Sequence, residues 1–482
     1  MQLQSKKMKK QTLLLLFCFA VFQSFAGDGY KIRLKISNPV NDSMVYLAHY
    51  YARPFPAIYK TDSARLKNGV ANFSSKEPLT GGIYILLLSD MATYFEFVLN
   101  NGDDLSVSAD SKHLPGSIVI KNSPENDLFL AYGNYMRSYG IQMDSLKNRL
   151  ARAHTAADSS TIRAESERLY KALVVYGTEQ ETKHPGSFLA HILKAAQPPK
   201  VPEGKHYLPN GKEDSTFAYT YYKTHFWDGF DFKDNRLINT PLLHNKLDEY
   251  FNKVLEQIPD TIEAYADTVI AKARGSEDLF KYSLEWLTIN SHDSKIMGMD
   301  EVFVYLVENY FMKGDGTWLS QEDLQKRIKR ARDIAPNVIG NVAPELQLTD
   351  TAGNPQSLSA FNAKYTLLLF YSPDCGHCAQ EIPKLDSVYR ASLQARGVKI
   401  FAVATEDEAK WKDFIRKNNM TDWKNVADWA HTSDYHGKYD IYSTPVIYLL
   451  DEKKIIRGKR LDHSNIGAVI DMLEAKEKTS KK

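Results

Sequence analysis

Hydrophobic residues change their spacing twice along this chain of 482 residues, and the two changes divide it into three parts. From Tyr30 to about Lys121, runs such as YKIRLKI, GIYILLL and YFEFVLN alternate or are rich in β-branched and aromatic residues, with Asn-Gly turns between them. Short strands that recur with turns between them indicate a small antiparallel sandwich or barrel. We assign this predicted β-sandwich-like domain to residues 27–122.

The middle of the chain has helical periodicity. It opens at Ser123-Pro124, and stretches such as LFLAYGNYMRSYGIQMDSLKNRL place apolar residues three and four positions apart, as one face of a helix does. Prolines and glycines interrupt the pattern over residues 195–215 and predict a long surface loop. The pattern therefore predicts an all-α domain over residues 123–336.

Strands and helices alternate in the last part of the chain. The predicted strands are TLLLFY (366–371), VKIFAVAT (398–405), PVIYLL (445–450) and KIIRGKR (454–460), and helices are predicted over 378–396, 407–419 and 464–476. Such alternation builds a central sheet covered by helices. We therefore expect an α/β domain over residues 337–482 and a multidomain α+β protein as a whole.

The first 26 residues predict a secretory signal. Four lysines precede an apolar run from Leu13 to Phe22, and Ser24-Phe25-Ala26 fits cleavage after Ala26. The run is too short to span a bilayer comfortably, so we expect an exported protein of the periplasm or cell envelope, with no stable membrane span after cleavage. Cys18 follows Phe17, where a lipid-anchored protein would carry a small residue, so lipid anchoring is not expected.

Removal of the signal changes the charge and the cysteine count. It takes away four lysines and no acids, so 57 basic residues face 59 acidic ones and the formal charge becomes −2. A near-neutral chain gives no electrostatic basis for binding nucleic acid or a membrane surface. Only Cys375 and Cys378 are left, which excludes a disulfide framework as the source of stability.

Cys375 and Cys378 stand where a helix is predicted to begin. The strand TLLLFY runs into Ser372-Pro373-Asp374, and the cysteine pair follows at once. Free N–H groups and the macrodipole at a helix N-terminus stabilise an anion, so Cys375 is the predicted attacking thiolate. Cys378, one turn later, should be more buried and should resolve a mixed disulfide. A protonated His377 would stabilise the thiolate further.

This last part of the chain resembles a thioredoxin-fold domain of the TlpA/ResA type, a group of exported bacterial thiol–disulfide oxidoreductases related to AhpC/TSA proteins. The segments that carry the resemblance are APELQLTDTAGNPQSLSAF (343–361), FYSPDCGHC (370–378), Pro383 and Ser443-Thr444-Pro445. The resemblance implies that Cys375 and Cys378 are catalytic and that Thr444-Pro445 forms a cis-proline loop, which presents the substrate backbone. Gly376 and His377 would support the site as the dipeptide between the cysteines.

The same resemblance implies the cofactors and partners. Electrons move between sulfurs, so no cofactor and no metal is expected. The expected partners are disulfide-containing or dithiol proteins and a second envelope redox protein. The two upstream regions resemble domains attached to thioredoxin-like modules in bacterial envelope proteins, both of unassigned function. They carry over no catalytic residue, and we expect them to select the client or to provide dimerisation.

The direction of electron flow is left open between reductase, isomerase and oxidase. The Gly-His dipeptide is the one found in protein disulfide isomerases, which are more oxidising than thioredoxin. The proton carrier is also open, because Leu369 occupies the position of the buried acid of thioredoxins, six residues before Cys375. Glu406, Asp407 and Glu408 could include a replacement or could form a solvated loop.

Several other functions are disfavoured by the residues present. A Cys-x-x-Cys loop is too short to act as a structural staple, a zinc site would need two further ligands, and haem attachment would need histidine where Ala379 stands. A peroxidase would carry proline where Leu368 stands. The aromatic segment 217–232 indicates either core packing or a docking surface. The remaining alternative is a non-catalytic envelope binding protein that uses the thioredoxin fold as a scaffold.

Overall fold

The computed structural model describes residues 29–38, 43–406, 408–429 and 432–480. The predicted signal peptide, with Cys18 and the cleavage position after Ala26, lies outside these residues, and so does Asp407. No helix in the described part of the chain combines the length and the hydropathy that a bilayer crossing requires.

The described residues divide into two compact units. One contains the residues up to His49 together with Ile58–Thr178, and the other contains Tyr50–Ala57 and the chain from Glu179 onward. The short segment 50–57 is held in the second unit by hydrogen bonds. The Ala52 amide donates to the Ile238 carbonyl at 2.6 Å. This division follows contacts in space, and the domain boundaries predicted at residues 122 and 336 stay predictions.

The first unit begins with two four-stranded sheets. The strands are β1 Tyr30–Ser37, β2 Met44–Tyr50, β3 Ile58–Arg65, β4 Val70–Ser75, β5 Gly82–Leu87, β6 Tyr94–Leu99, β7 Asp104–Asp110 and β8 Val119–Lys121. They are ordered β4-β1-β7-β8 and β3-β2-β5-β6. Buried and exposed residues alternate along β1, as expected for a strand with one face on a core. Both sheets contribute side chains to the same hydrophobic core.

One strand pair departs from the predicted antiparallel arrangement. Strands β1 and β7 run parallel, with Ile32 beside Leu105 and Leu34 beside Val107. A parallel pair needs a crossover connection, and here the chain between the two strands builds the second sheet before it returns. Alternation along a strand is the same for either direction of its neighbour, so the sequence pattern alone could not reveal this pairing.

Two long helices follow the sheets, α1 Pro124–Ala151 and α2 Ala156–Lys183. Helix α1 begins where the sequence predicted it, because the Ser123 side chain caps it by accepting from the Asn126 amide. Asn126 is fully buried and exchanges two hydrogen bonds with the backbone of Val98 in β6, at 2.8 and 2.7 Å. The helix is thereby fixed to the sheet at its first turn.

The middle region of the second unit is helical, as predicted. Its helices are α3 Phe188–Ala196, α4 Phe217–His225, α5 Leu242–Glu249, α6 Pro259–Ala273, α7 Glu277–Asp293, α8 Met299–Asn309 and α9 Gln321–Ile334. Residues 197–215 contain no helix or strand, which agrees with the predicted loop. In the aromatic segment, Phe226, Trp227, Phe230 and Phe232 are buried, so core packing is confirmed for this half.

The C-terminal part is a seven-stranded sheet with helices. The strands are β9 Gln347–Asp350, β10 Pro355–Ser357, β11 Tyr365–Tyr371, β12 Val398–Ala404, β13 Lys424–Ala427, β14 Val446–Asp451 and β15 Ile456–Lys459, and the helices are α10 Gly376–Val388, α11 Glu408–Lys417, α12 Tyr435–Tyr439 and α13 Ile466–Ser480. The strand order is β10-β9-β13-β12-β11-β14-β15. The chain is thus a multidomain α+β protein.

Strand β11 lies between β12 and β14 in this sheet and positions the cysteine pair. All seven of its residues are buried, as expected for a strand covered on both faces. It runs parallel to β12 and antiparallel to β14, with Phe370 opposite Val446. The end of β11 therefore meets the start of β14, which brings the residues after Tyr371 next to those before Val446.

Candidate active site

Cys375 is the N-cap residue of helix α10, as the sequence predicted. Its backbone is extended, at φ −78° and ψ 115°, and its sulfur accepts the Cys378 amide at 3.2 Å. An N-cap side chain satisfies one of the free N–H groups of the first turn. A sulfur in this place lies at the positive end of the helix dipole, where a negative charge is stabilised.

Thr444 and Pro445 lie directly beside Cys375. The peptide bond between them is cis, as predicted, and the Cys375 thiol donates to the Thr444 carbonyl at 3.2 Å. The loop before β14 and the cap of α10 therefore meet at one sulfur atom. The structure brings together the four residues for which the sequence predicted direct roles: Cys375, Cys378, Thr444 and Pro445.

The pKa of the Cys375 thiol is lower than its ordinary value. Burial alone would raise this pKa, but hydrogen bonds from the Cys378 and Thr444 side chains and from the Cys378 and His377 amides lower it by more. Cys375 is only half-buried, so solvent reaches it. It is therefore an accessible thiol that ionises readily, which are the two properties that a nucleophilic cysteine requires.

The Cys378 thiol has the opposite character. Its side chain has no exposed surface, and burial, together with its hydrogen bond to Cys375, raises its pKa to about 12. It packs in the core between α10 and the sheet with Tyr371 and Trp411, and the Trp411 indole donates to the Tyr371 hydroxyl at 3.0 Å. Cys378 is therefore a protonated thiol at neutral pH, held one turn behind the exposed one.

Gly376 and His377 occupy the exposed first turn of α10. A Cβ on Gly376 would meet no atom within 4 Å, so open space lies in front of the turn. His377 contributes its backbone amide to the hydrogen bonds that lower the pKa of Cys375. The additional effect predicted for its imidazole stays a prediction.

The acidic residues near the site differ in their placement. Leu369, which occupies the position of the buried acid of thioredoxins, is fully buried in β11. Its side chain has no ionisable group, so it cannot carry a proton to Cys378. The Ser372 hydroxyl lies 3.5 Å from the Glu406 carboxylate, and Glu408 begins α11. Within the predicted acidic run, Glu406 is thus linked through Ser372 to the residues just before the cysteine turn.

One group of side chains in the described residues has the composition of a metal site. Ligand atoms of Glu381, Asp462 and His463 lie within 4.8 Å of one another. The Glu381 carboxylate is already hydrogen-bonded to the His463 ring and amide, and Asp462 accepts from the Ser464 amide and hydroxyl. These hydrogen bonds account for the cluster without an ion.

Sequence reasoning missed a buried carboxylate close to the site. Asp440 lies four residues before Thr444, its side chain is 1% exposed, and it is paired with two arginines, Arg330 and Arg460. The signal in the sequence was weak, because a single aspartate within HGKYDIYSTP looks like an ordinary loop residue. Its partners are far along the chain, so spacing could not point to them.

We expect Thr444→Val to slow the reaction of Cys375 with iodoacetamide at pH 7 by about twofold to fivefold. Valine keeps the shape of threonine but removes the hydroxyl, so the pKa of Cys375 rises and less thiolate is present at neutral pH. The rate is measured by mass spectrometry. Thr349→Val, on the exposed side of β9, is the matched control. Equal rates for all three proteins would exclude this role of Thr444.

Three family models match the chain. The AhpC/TSA family matches residues 339–459. A domain of unknown function (DUF5106) matches residues 178–337, and a second one (DUF4369) matches residues 30–129. The AhpC/TSA match thus covers strands β9 to β15 and Cys375, and the other two matches cover the regions before them.

Curated relatives match the same C-terminal region. The chain is 29% identical over 126 residues to the thioredoxin-like protein YneN of Bacillus subtilis, a match that covers 24% of this chain and 68% of the relative. It is 27% identical over 115 residues to the thiol-disulfide oxidoreductase ResA of Bacillus cereus, which covers 24% of this chain and 64% of the relative. The chain thus spans about two thirds of the length of each.

Solved structures also align. A domain of a possible thiol-disulfide isomerase from Cytophaga hutchinsonii is 39% identical, with 30% of this chain and 99% of that chain covered and a TM-score of 0.29. A thioredoxin-like protein from Bacteroides caccae is 20% identical, with 57% and 97% covered and a TM-score of 0.45.

Proposed function

The C-terminal region of this chain belongs to the TlpA/ResA-type thioredoxin-like family, and from that premise we propose that the protein is an exported thiol–disulfide oxidoreductase acting on protein disulfides. A redox function in general is supported by the relatives. The observation that carries the more specific proposal is the contrast between the two sulfurs. Cys375 is accessible with a lowered pKa, and Cys378 is buried with a pKa of about 12.

The reaction begins with Cys375. Its thiolate attacks one sulfur of a client disulfide, a new sulfur–sulfur bond forms, and the second client sulfur leaves as a thiolate that takes up a proton. The Thr444 carbonyl, 3.2 Å from the sulfur, lies in the loop that borders the incoming client chain. Main-chain groups in such a loop can pair with an extended client segment as an added strand does.

The second step releases the client. Cys378 loses its proton and attacks the Cys375 sulfur of the mixed disulfide, the Cys375–Cys378 disulfide forms, and the first client sulfur leaves as a thiolate. Two electrons have then passed from the protein to the client. An envelope dithiol protein must return them for a further cycle. When the client has a misformed disulfide, a client thiolate other than the one released in the first step attacks the client sulfur of the mixed disulfide. A new client disulfide then forms and Cys375 leaves as a thiolate, which is isomerisation.

The Gly376-His377 dipeptide favours an isomerase-like potential. We expect equilibration with glutathione to give a value closer to about −180 mV than to about −270 mV, the values for protein disulfide isomerase and thioredoxin. The protein fraction in the disulfide form is measured by mass spectrometry at defined glutathione ratios. A value near −270 mV would identify the protein as a reductase instead.

Turnover tests the proposal against its main rival. Reduction of insulin disulfides by the wild-type protein supports an oxidoreductase. If the wild type and Cys375→Ala are equally inactive, the thioredoxin-like region is a scaffold, and the protein is a binding protein of the envelope. A Cys378→Ala variant would retain clients as mixed disulfides and so identify them, and cell fractionation tests the export after Ala26.

A further inference from the structure

The segment that carries Thr444 and Pro445 is attached to the helical region that precedes the sheet. It consists of residues 440–445, between α12 and β14, and we call it the proline segment. Its contacts on the helical side come from α9, more than 100 residues earlier in the chain. Thr444 and Pro445, which lie beside Cys375, are therefore on a segment that is held by two elements, the strand β14 that follows it and the helix α9.

Asp440 forms the first attachment. Both oxygens of its buried carboxylate bind the Arg330 guanidinium, and one of them also binds Arg460, at 2.9 Å. A fork-to-fork pair of this kind fixes orientation as well as distance. The backbone of Asp440 has φ +55°, in the left-handed region, which aspartate adopts more readily than most residues with a side chain.

Tyr442 forms the second attachment. Its ring is 73% exposed, yet the Arg330 guanidinium lies 5.4 Å from the ring centroid, within the range of a cation–π contact. The Tyr442 hydroxyl donates to Asp333 at 3.3 Å. Arg330 and Asp333 are three positions apart and so lie on one face of α9. The same helix face therefore contacts the proline segment at two residues.

Neighbouring polar contacts hold the helical region to the sheet. Lys459, at the end of β15, is 3% exposed and binds Asp300 of α8 and, at 2.7 Å, Asn337. Asn337, which follows α9, is fully buried and also donates to the Lys438 carbonyl at 3.3 Å. Buried polar groups require partners, so this contact has a defined geometry, and α9 is a fixed support for the segment.

We propose that Arg330 is a positioning residue for disulfide exchange, which holds the proline segment in register with Cys375 through Asp440 and Tyr442. The helical region is then part of the working site and not only an attached domain. The Thr444 carbonyl and the Thr444 side chain both hydrogen-bond to the Cys375 sulfur. Movement of the proline segment would therefore change the surroundings of the reacting atom. Displacement of a reacting group by about 1 Å can slow a reaction about a hundredfold.

The test compares Arg330→Ala with wild type in the full-length protein. We expect thiolate absorbance at 240 nm to titrate at higher pH in the variant, and kcat/KM for insulin reduction to fall about tenfold or more. Arg330→Lys keeps the charge without the fork and should be intermediate. The kinetic measurement rests on the proposed function, whereas the thiolate titration needs no client. If the protein does not reduce insulin, the proposed function fails, and the titration still tests the role of Arg330.

Arg274→Ala is the matched control. Arg274 also binds a carboxylate with two nitrogens, that of Asp315, and also lies over an aromatic ring, that of Phe280. It contacts none of residues 440–445 in these interactions, so it should lose stability without changing the titration. An unchanged titration in folded Arg330→Ala would overturn the proposal. If Arg330→Ala does not fold, Tyr442→Leu removes the exposed ring that the Arg330 guanidinium contacts, and a wild-type thiolate titration in that variant would overturn the proposal equally.

Discussion

We expect Cys375→Ser to abolish insulin reduction, with a loss of at least about a thousandfold, and Cys378→Ala to keep the first attack and accumulate a mixed disulfide. The serine hydroxyl occupies the same N-cap position but does not ionise at neutral pH, so no nucleophile remains. Cys378 cannot substitute for it, because its sulfur has no exposed surface. Turbidity of reduced insulin measures turnover, and non-reducing electrophoresis shows the mixed disulfide.

The two variants control for each other, since each removes one sulfur from the same turn of α10. Circular dichroism establishes that both are folded. Serine at an N-cap is favourable for a helix, so a loss of activity in Cys375→Ser is not a loss of the helix. Residual turnover within tenfold of wild type in Cys375→Ser, or a mixed disulfide formed through Cys378, would contradict the assigned order of attack.

At pH 7, we expect iodoacetamide to label Cys375 of the reduced protein at least about thirtyfold faster than Cys378. An ordinary thiol has a pKa of about 8.5; the pKa of Cys375 is lowered from its ordinary value, and that of Cys378 is raised to about 12. At pH 7 the fraction of Cys375 present as thiolate is then at least about a thousandfold larger than that of Cys378. A thiolate of lower pKa is a weaker nucleophile, so the expected ratio of labelling rates is smaller, about thirtyfold. Burial of Cys378 adds to the ratio.

The pH dependence has a defined sign. Labelling of Cys375 falls as pH falls through its lowered pKa and is constant above it, whereas labelling of Cys378 continues to rise toward pH 12. Peptide mass spectrometry separates the two sites, and the same experiment in urea should make the rates nearly equal. Equal rates in the folded protein, or a Cys375 profile that follows free cysteine, would remove the physical basis of the proposed function.

The parts of the fold that the sequence predicted are those with strong local patterns. TLLLFY is uniformly apolar and became β11, and the long amphipathic stretch after Ser123 became α1. Strand β13 and helix α12 were missed because four or five residues carry too little periodicity. The placement of segment 50–57 in the second unit depends on contacts such as that of Ala52 with Ile238, which no local pattern records.

The same distinction holds for the candidate site. The cap at Cys375 follows from residues within a few positions of it, and the cis bond before Pro445 was implied by the resemblance of Ser443-Thr444-Pro445 to a cis-proline loop. The pairing of Arg330 with Asp440 joins residues 110 positions apart. From its local sequence, each of these two residues is interpreted as an ordinary charged residue on the surface. Long-range ion pairs therefore become visible only when the fold is known.

The cap at the start of α10 couples the redox state of Cys375 to the hydrogen bonding of the helix backbone. The acceptor for the Cys378 amide is the reactive sulfur itself, so any covalent bond made at that atom also alters the hydrogen bonding of a helix end. Above the lowered pKa of Cys375, oxidation replaces a thiolate acceptor by a neutral disulfide sulfur, which weakens the hydrogen bond to the first turn. We therefore expect the Cys378 amide to exchange its hydrogen faster in the oxidised protein than in the reduced one.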